Sequence, residues 1–296
     1  MKLVEPESLA EAVAFLNGRG AEAKIIGGGT ALTILIRQRF VQPAALISLR
    51  RIAGLDRIEV DDSSGRVLLG PLVTHRAVER SAELQRRVPL VPEVFRRVGN
   101  VRVRSVATLS GVLAEADYAS DPPSALLALG AAVRLASLEG ERVVPLTDFF
   151  HGFYETALGE NELIREVEIP LPPPGTVGAY TKYVTRSSED RPCVGVTVVL
   201  RLGEDERCQD LKVVVGAATE VPLKLPEAES AARGQVLTGE LAREIGEVYA
   251  ADARTLSDGR GSAEYRREMI RVWVRRTIDQ ARDRALSAKL GGTGGR

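Results

Sequence analysis

Three consecutive glycines, Gly27, Gly28 and Gly29, stand between Lys24-Ile25-Ile26, a short apolar run that reads as a strand, and residues 31–37, which read as a short helix capped by Thr30. Glycine adopts φ > 0 freely and lets a ligand approach the backbone closely. Successive N–H groups of such a turn can converge on an anion, and a helix N-terminus adds its dipole. A tight strand-to-helix turn with no ligand explains the triplet equally well. Two familiar phosphate motifs do not fit: a G-x-G-x-x-G fingerprint needs glycine where Leu32 stands, and a phosphate loop needs Gly-Lys-Ser/Thr.

The surrounding patterning predicts a mixed α and β chain. Leu9, Ala12, Val13 and Leu16 recur at helical spacing, and 45–48 reads as a second strand, so the first 52 residues form a small β-α-β-like unit. Residues 57–60 and 66–69 predict a hairpin. Thr74 is placed to cap a helix through Glu83, residues 92–98 read as helix, and 101–110 match no period and read as an extended loop. A short apolar helix at 124–129, a hairpin over 132–138 and 142–146, and a strand at 163–169 follow. Leu171-Pro172-Pro173-Pro174-Gly175 is the best linker, since proline donates nothing to a sheet or helix. Beyond it, 179–185, 193–202 and 211–217 read as an antiparallel meander of three strands, and 240–253 and 264–286 as two helices. The apolar stripe of the last helix (Ile270, Trp273, Val274, Thr277, Ile278, Ala281) must pack on something, and the meander is the nearest candidate. The expected division is 1–55, 56–175 and 176–290, with a disordered tail at 291–296.

Composition narrows the function. Forty basic residues balance forty acidic ones, which removes the basic surplus that non-specific nucleic-acid binding requires. Cys193 and Cys208 are too few for a disulfide framework or an iron–sulfur cluster, which takes four thiolates. His75 and His151 sit in no metal-ligand pattern and read as surface or capping residues, so no metal site is expected. No apolar run is long enough to span a membrane. Glu5, Glu7 and Glu11 replace the basic start of a signal peptide, and a cytoplasmic location is the expectation.

A second small-residue turn, Ala107-Thr108-Leu109-Ser110-Gly111-Val112-Leu113, runs into Asp117 and Asp121. Backbone N–H groups there suit phosphate and a carboxylate suits sugar hydroxyls. Read alone, the two acids are more often helix caps before Pro122 than sugar ligands. Nothing nearby in sequence suggests the burial that would split their pKa values for acid–base work.

Together these segments are ordered as in a known family. Gly27-Gly28-Gly29-Thr30 resembles the first flavin loop of the medium subunit of the carbon monoxide dehydrogenase and xanthine dehydrogenase family of molybdenum hydroxylases. Gly99-Asn100-Val101-Arg102-Val103-Arg104-Ser105-Val106-Ala107-Thr108-Leu109-Ser110-Gly111 resembles its second loop. Asp117 to Asp121 resembles the A-D-P-x-x-D that follows, and Tyr180-Thr181-Lys182-Tyr183 with Arg186 resembles its Y-x-K-F-x-x-R. The chain departs from that pattern at Ala31, Ser110, Val112 and Tyr118, where a polar residue, glycine, asparagine and proline are common; serine does not suit every φ > 0 geometry.

The resemblance implies an α+β architecture: a vanillyl-alcohol-oxidase-like (PCMH-type) FAD-binding fold of two α/β sub-domains, then a C-terminal antiparallel three-stranded sheet with a helix bundle. It implies FAD as cofactor, held by Ile26, Gly27, Gly28, Gly29, Thr30, Ala31, Thr108, Ser110, Gly111, Asp117, Asp121, Ile164 and Lys182, with no catalytic residue beyond the flavin. The diphosphate would lie between the two turns, Asp121 would take sugar or ribityl hydroxyls, Ile164 would pack near the isoalloxazine, and Lys182 would sit at its polar edge and favour a reduced, anionic ring. A solvated strand lysine is the alternative for Lys182, and an ordinary hairpin loop for 187–192, which would otherwise flank the flavin. The implied role is electron relay from [2Fe–2S] clusters of a small subunit to an external acceptor, with substrate hydroxylated on a large molybdopterin subunit, and a dimer of heterotrimers as the assembly. A free-standing FAD oxidase and a flavin-less scaffold are the alternatives.

Overall fold

The computed structural model describes residues 1–292, so of the expected tail only 293–296 lie outside the described residues; Gly291 and Gly292 continue the last helix. The chain forms two compact units. One comprises Met1–Glu83, Asn100–Asp117 and Gly130–Leu171, the other Leu84–Gly99, Tyr118–Leu129 and Pro172–Arg296.

The first unit holds two larger sheets. Ala45–Ser48 is the centre of a parallel three-stranded sheet, flanked by Lys2–Val4 and Ala23–Ile26. All four residues of the central strand are buried, Ser48 along with the apolar Ala45, Leu46 and Ile47. Helix Leu9–Leu16 makes the crossover, with the Ser8 hydroxyl accepting from the Glu11 N–H and Ala12, Val13 and Leu16 buried. The outer strand Lys2–Val4 was not legible, being three residues long and mostly exposed.

An antiparallel sheet of five follows, in the order Ile58–Asp61, Arg66–Leu69, Leu163–Pro170, Ala132–Ser137, Gly140–Pro145. The Asp61 carboxylate accepts from the Ser63 and Ser64 N–H groups and, with Gly65 at φ +65°, closes the first hairpin. The register slips between Ile164 and Glu166, a bulge in the middle strand.

Three expectations change here. Residues 101–110 are not an extended loop: Asn100 caps a helix over Val101–Arg104, and Thr108 caps another over Leu109–Glu115. Both are too short for a period to show; the caps carried the signal. The helix from Thr74 stops at Arg80, where Ser81 turns extended, and a new one runs over Ala82–Arg87. Thr30 does not cap the helix after the glycines. That helix begins at Leu32, with Ala31 at the cap position and no side-chain cap bond.

In the second unit the expected three-stranded meander has a fourth strand. Thr176–Tyr183, Val194–Leu202, Cys208–Gly216 and the two-residue Leu223–Lys224 pair antiparallel in that order. Both faces are covered. Val196, Val198, Leu200, Val213 and Val215 pack with Ile270, Val274, Ile278 and Ala281 of helix Ala263–Gly292 and with Ile245 and Tyr249 of helix Gly239–Asp252. On the other face Thr197 donates to Ser124 at 3.0 Å, and Gly216 lies close under Ser124, in helix Pro122–Ala128. Two-sided burial explains why Val194–Leu202 is mostly apolar and does not alternate, with Thr197 and Arg201 as its polar exceptions.

Candidate functional site

The two glycine-bearing turns, about eighty residues apart in sequence, meet in the first unit. A Cβ built on Gly28 would lie 1.7 Å from the Val106 carbonyl oxygen, and one on Gly27 would lie 2.5 Å from the Thr108 hydroxyl. Glycine is therefore demanded at 28 by backbone packed on backbone, and at 27 by the Thr108 side chain pressed against it. Gly29 serves differently: its φ of +68° is a left-handed conformation that reverses the chain before the helix.

Backbone hydrogen bonding divides the labour between the turns. Leu109 N–H donates to Val73 O at 2.9 Å, Ser110 N–H to Pro71 O at 3.3 Å, and Gly111 N–H to the Thr108 hydroxyl at 3.2 Å. His75 N–H donates to Ala107 O at 2.9 Å. In the second turn the amides of Leu109, Ser110 and Gly111 are thus held by its own scaffold. In the first turn, among the described residues, the N–H groups of Gly27, Gly28, Gly29, Thr30 and Ala31 reach no protein acceptor. They lie in partly exposed backbone. Five successive donors around a left-handed glycine, leading into a helix, form a concavity suited to an oxyanion. The donor set thus fits a cofactor's diphosphate at the first turn, with the second turn as its wall.

This arrangement explains two departures from the family pattern. Ser110 is not in a left-handed conformation; it occupies the first turn of a helix, and its hydroxyl donates to Pro71 O at 2.7 Å. Tyr118, in the second unit, donates its hydroxyl to Asp258 at 2.6 Å, and Arg260 bonds the same carboxylate at 2.6 Å. Nothing in the structure explains Val112.

His75 was read as a surface or capping residue, yet only 2% of it is exposed. It begins the helix that braces the second turn. Burial pushes its imidazole down to about 4, against a bond the ring donates to the Thr108 backbone that pulls it up, with the Arg104 charge adding to the depression. Ile164 is buried beside the strand bulge and Asp117 is buried at the end of the second-turn helix. That helix closes on Ala116 in a left-handed conformation, φ +48°.

In the second unit Asp121 and Lys182 form a buried ion pair, which sets aside the solvated strand lysine offered as the alternative for Lys182. The Asp121 side chain is 4% exposed and that of Lys182 5%. Lys182 Nζ donates to Asp121 Oδ2 at 3.1 Å and to the Arg97 carbonyl at 2.7 Å, and the buried Tyr180 hydroxyl donates to Asp121 Oδ1. Burial pushes the Asp121 carboxyl up, opposed by the Lys182 charge and the Tyr180 bond; burial and the Asp121 charge push the Tyr180 phenol well up. Both oxygens of Asp121 are engaged by protein donors, so its first task is to hold Lys182. Tyr180 and the Arg97 carbonyl are the members of this cluster that sequence reasoning left out of the site. Tyr180 sits two residues before Lys182 on the same face of a strand, the one hint available.

Comparison with known proteins identifies the family by sequence and by fold. Residues 1–172 match the family of the FAD binding domain in molybdopterin dehydrogenase, and residues 179–281 match the CO dehydrogenase flavoprotein C-terminal domain. The chain is 34% identical over 281 residues to the nicotine 6-hydroxylase medium subunit of Paenarthrobacter nicotinovorans, covering 95% of this chain and 97% of the relative. It is 32% identical over 288 residues to the carbon monoxide dehydrogenase medium chain of Afipia carboxidovorans, covering 95% and 96%. The crystal structure of a copper- and molybdenum-containing CO dehydrogenase in its cyanide-inactivated form superposes with a TM-score of 0.92 at 31% identity, over 96% of this chain and 98% of that one. With residues 1–172 and 179–281 both matched, and relatives of more than 30% identity covered along nearly their whole length, the chain belongs to the family of FAD-binding medium subunits of molybdenum hydroxylases.

Proposed function

We propose that this subunit holds the FAD diphosphate on the amides of Gly27, Gly28, Gly29, Thr30 and Ala31, with Thr108, Ser110 and Gly111 as the wall behind them. The observation that carries this is the row of five backbone donors lacking a protein acceptor beside a turn whose Leu109, Ser110 and Gly111 amides are engaged by Val73, Pro71 and Thr108. An unsatisfied N–H is costly where water is excluded, and a diphosphate offers several acceptors in one place. Ile26 ends the strand that aims the turn. The roles of Asp117, Asp121, Ile164 and Lys182 toward the cofactor rest on the family resemblance, with Asp121 holding Lys182 in place.

The bound flavin would supply the conversion between one-electron and two-electron transfer. The protein's part is to hold it, shield it from water and fix the charge around it. In this reading electrons arrive from [2Fe–2S] clusters of a small partner subunit and leave to an external acceptor, while substrate is hydroxylated on a large molybdopterin subunit. The assembly would be a dimer of heterotrimers in the cytoplasm. Among the described residues no helix is long and apolar enough to cross a membrane. A free-standing oxidase would need an acid or base over the flavin, and no histidine is placed for that: His75 is walled into the scaffold and His151 is exposed at the rim of a two-stranded ribbon.

The test is a titration of flavin-stripped protein with FAD and, separately, with riboflavin, which carries the same ring and no phosphate. FAD should bind far more tightly. Equal affinity for the two would remove the diphosphate from the argument and with it the role of the first turn.

A further inference from the structure

The helix that leaves the glycine turn, Leu32–Arg37, buries none of its six residues, although Leu32, Ile34, Leu35 and Ile36 are all large and apolar. Ile34 is 53% exposed, and Phe40 just beyond the helix is 75% exposed, with Val41 half-buried after it. A surface helix of a folded protein presents an apolar stripe to its own core. Here Leu32, Leu35 and Ile36, at helical spacing, are only half-buried while Ile34 and Phe40 are exposed, so the chain itself covers this apolar surface incompletely.

Two further features bear on what completes the cover. Arg39 adopts φ +62°, a left-handed conformation that glycine takes at little cost and a side chain does not. Its N–H donates to Ile36 O and that of Phe40 to Leu35 O, so this strained turn is what projects the Phe40 ring outward. Strain retained beside an exposed aromatic is a mark of a working surface. The charge is one-sided as well. No Asp or Glu occurs between Glu22 and Asp56. Arg50 and Arg51 are met by Glu5, while Arg37 and Arg39 are exposed and, among the described residues, have no carboxylate partner.

We infer that the Leu32–Arg37 helix and Phe40 are a docking surface for another subunit of the complex, one presenting an apolar pocket for Phe40 rimmed by carboxylates for Arg37 and Arg39. An apolar centre with a cationic edge asks for an apolar centre with an anionic edge. A phenylalanine projecting from such a patch is the kind of side chain on which interface affinity concentrates. The surface begins one residue after the amides proposed to hold the diphosphate, so a subunit docked there also stiffens the cofactor loop. The inference rests on the reading of this chain as a subunit of a larger assembly.

The experiment is co-expression of the whole complex with Phe40→Ser, with Arg37→Glu/Arg39→Glu, and with Val248→Ser as an exposed apolar control, followed by affinity capture of this subunit and measurement of FAD content. The Phe40 variant should keep its flavin and circular dichroism yet weaken retention of the other subunits by about thirtyfold. The double charge reversal should make retention fall at low salt and converge with the parent at high salt. The control should assemble as the parent does. Unchanged assembly of the Phe40 variant overturns the inference, as does a loss confined to self-association of this chain or to binding of anionic lipid vesicles. Failure of the parent chain to retain any other subunit refutes instead the functional reading beneath it, so the two failures are distinct.

Discussion

Replacing Gly28 with alanine separates two explanations of the glycine triplet. If glycine is needed only to leave room for a cofactor, the flavin-free protein should tolerate a methyl group. The structure says otherwise: the new Cβ would lie 1.7 Å from the Val106 carbonyl oxygen and 3.0 Å from the Ala107 Cα, both backbone atoms that cannot rotate aside. The two turns must separate by more than an ångström. Val106 belongs to a segment fixed by Leu109 N–H to Val73 O and His75 N–H to Ala107 O, so that movement strains a hydrogen-bonded scaffold. Overpacking of this kind costs about 3 kcal/mol, and at roughly 2–4 °C per kcal/mol the melting temperature of the flavin-free protein should drop by about 6–12 °C. Gly111→Ala is the matched control, because its Cβ meets only the Thr108 hydroxyl, at 2.9 Å, and gains helix propensity within Leu109–Glu115. The assay is thermal unfolding of both variants after flavin removal. A Gly28→Ala protein that melts with the parent when flavin-free, and differs only in FAD retention, would refute the packing argument.

Two further outcomes follow from the buried titratable groups. His75 has its imidazole depressed from 6.5 to about 4 by burial, so the unfolded chain binds the proton more readily. The stability it confers is fully present above pH 6.5 and is lost as pH falls toward 4, amounting to about 3 kcal/mol at the acid end. Denaturant unfolding at pH 7.5 and pH 5 should show this slope in the parent and a shallower one in His75→Gln, and identical slopes would remove His75 as the cause. Asp121→Asn keeps an acceptor for Tyr180 but leaves the Lys182 ammonium buried without its counter-charge, a loss of about 3–5 kcal/mol. The double variant Asp121→Asn/Lys182→Met should be more stable than the sum of the two single losses predicts, and strict additivity in urea melts would show that the pair is not coupled.

Local chemistry in the sequence was enough for much of this molecule. The glycine triplet marked its turn because no other residue allows a backbone atom so near. The proline run at 171–175 ended a strand because proline cannot donate. The stripe from Ile270 to Ala281 called for a partner, and the sheet supplied it. Motif order then carried the family, which single turns could not. The tertiary structure alone decided how these pieces share their work. Whether an amide is free depends on what lies opposite it, so only the fold shows the first turn's donors unclaimed and the second turn's engaged by Pro71, Val73 and Thr108. Burial is likewise a property of neighbours distant in sequence. His75, Asp121 and Lys182 look like surface residues in one dimension. They become a walled-in imidazole and a desolvated ion pair because the 104–108 segment, Tyr180 and Arg97 arrive from elsewhere along the chain.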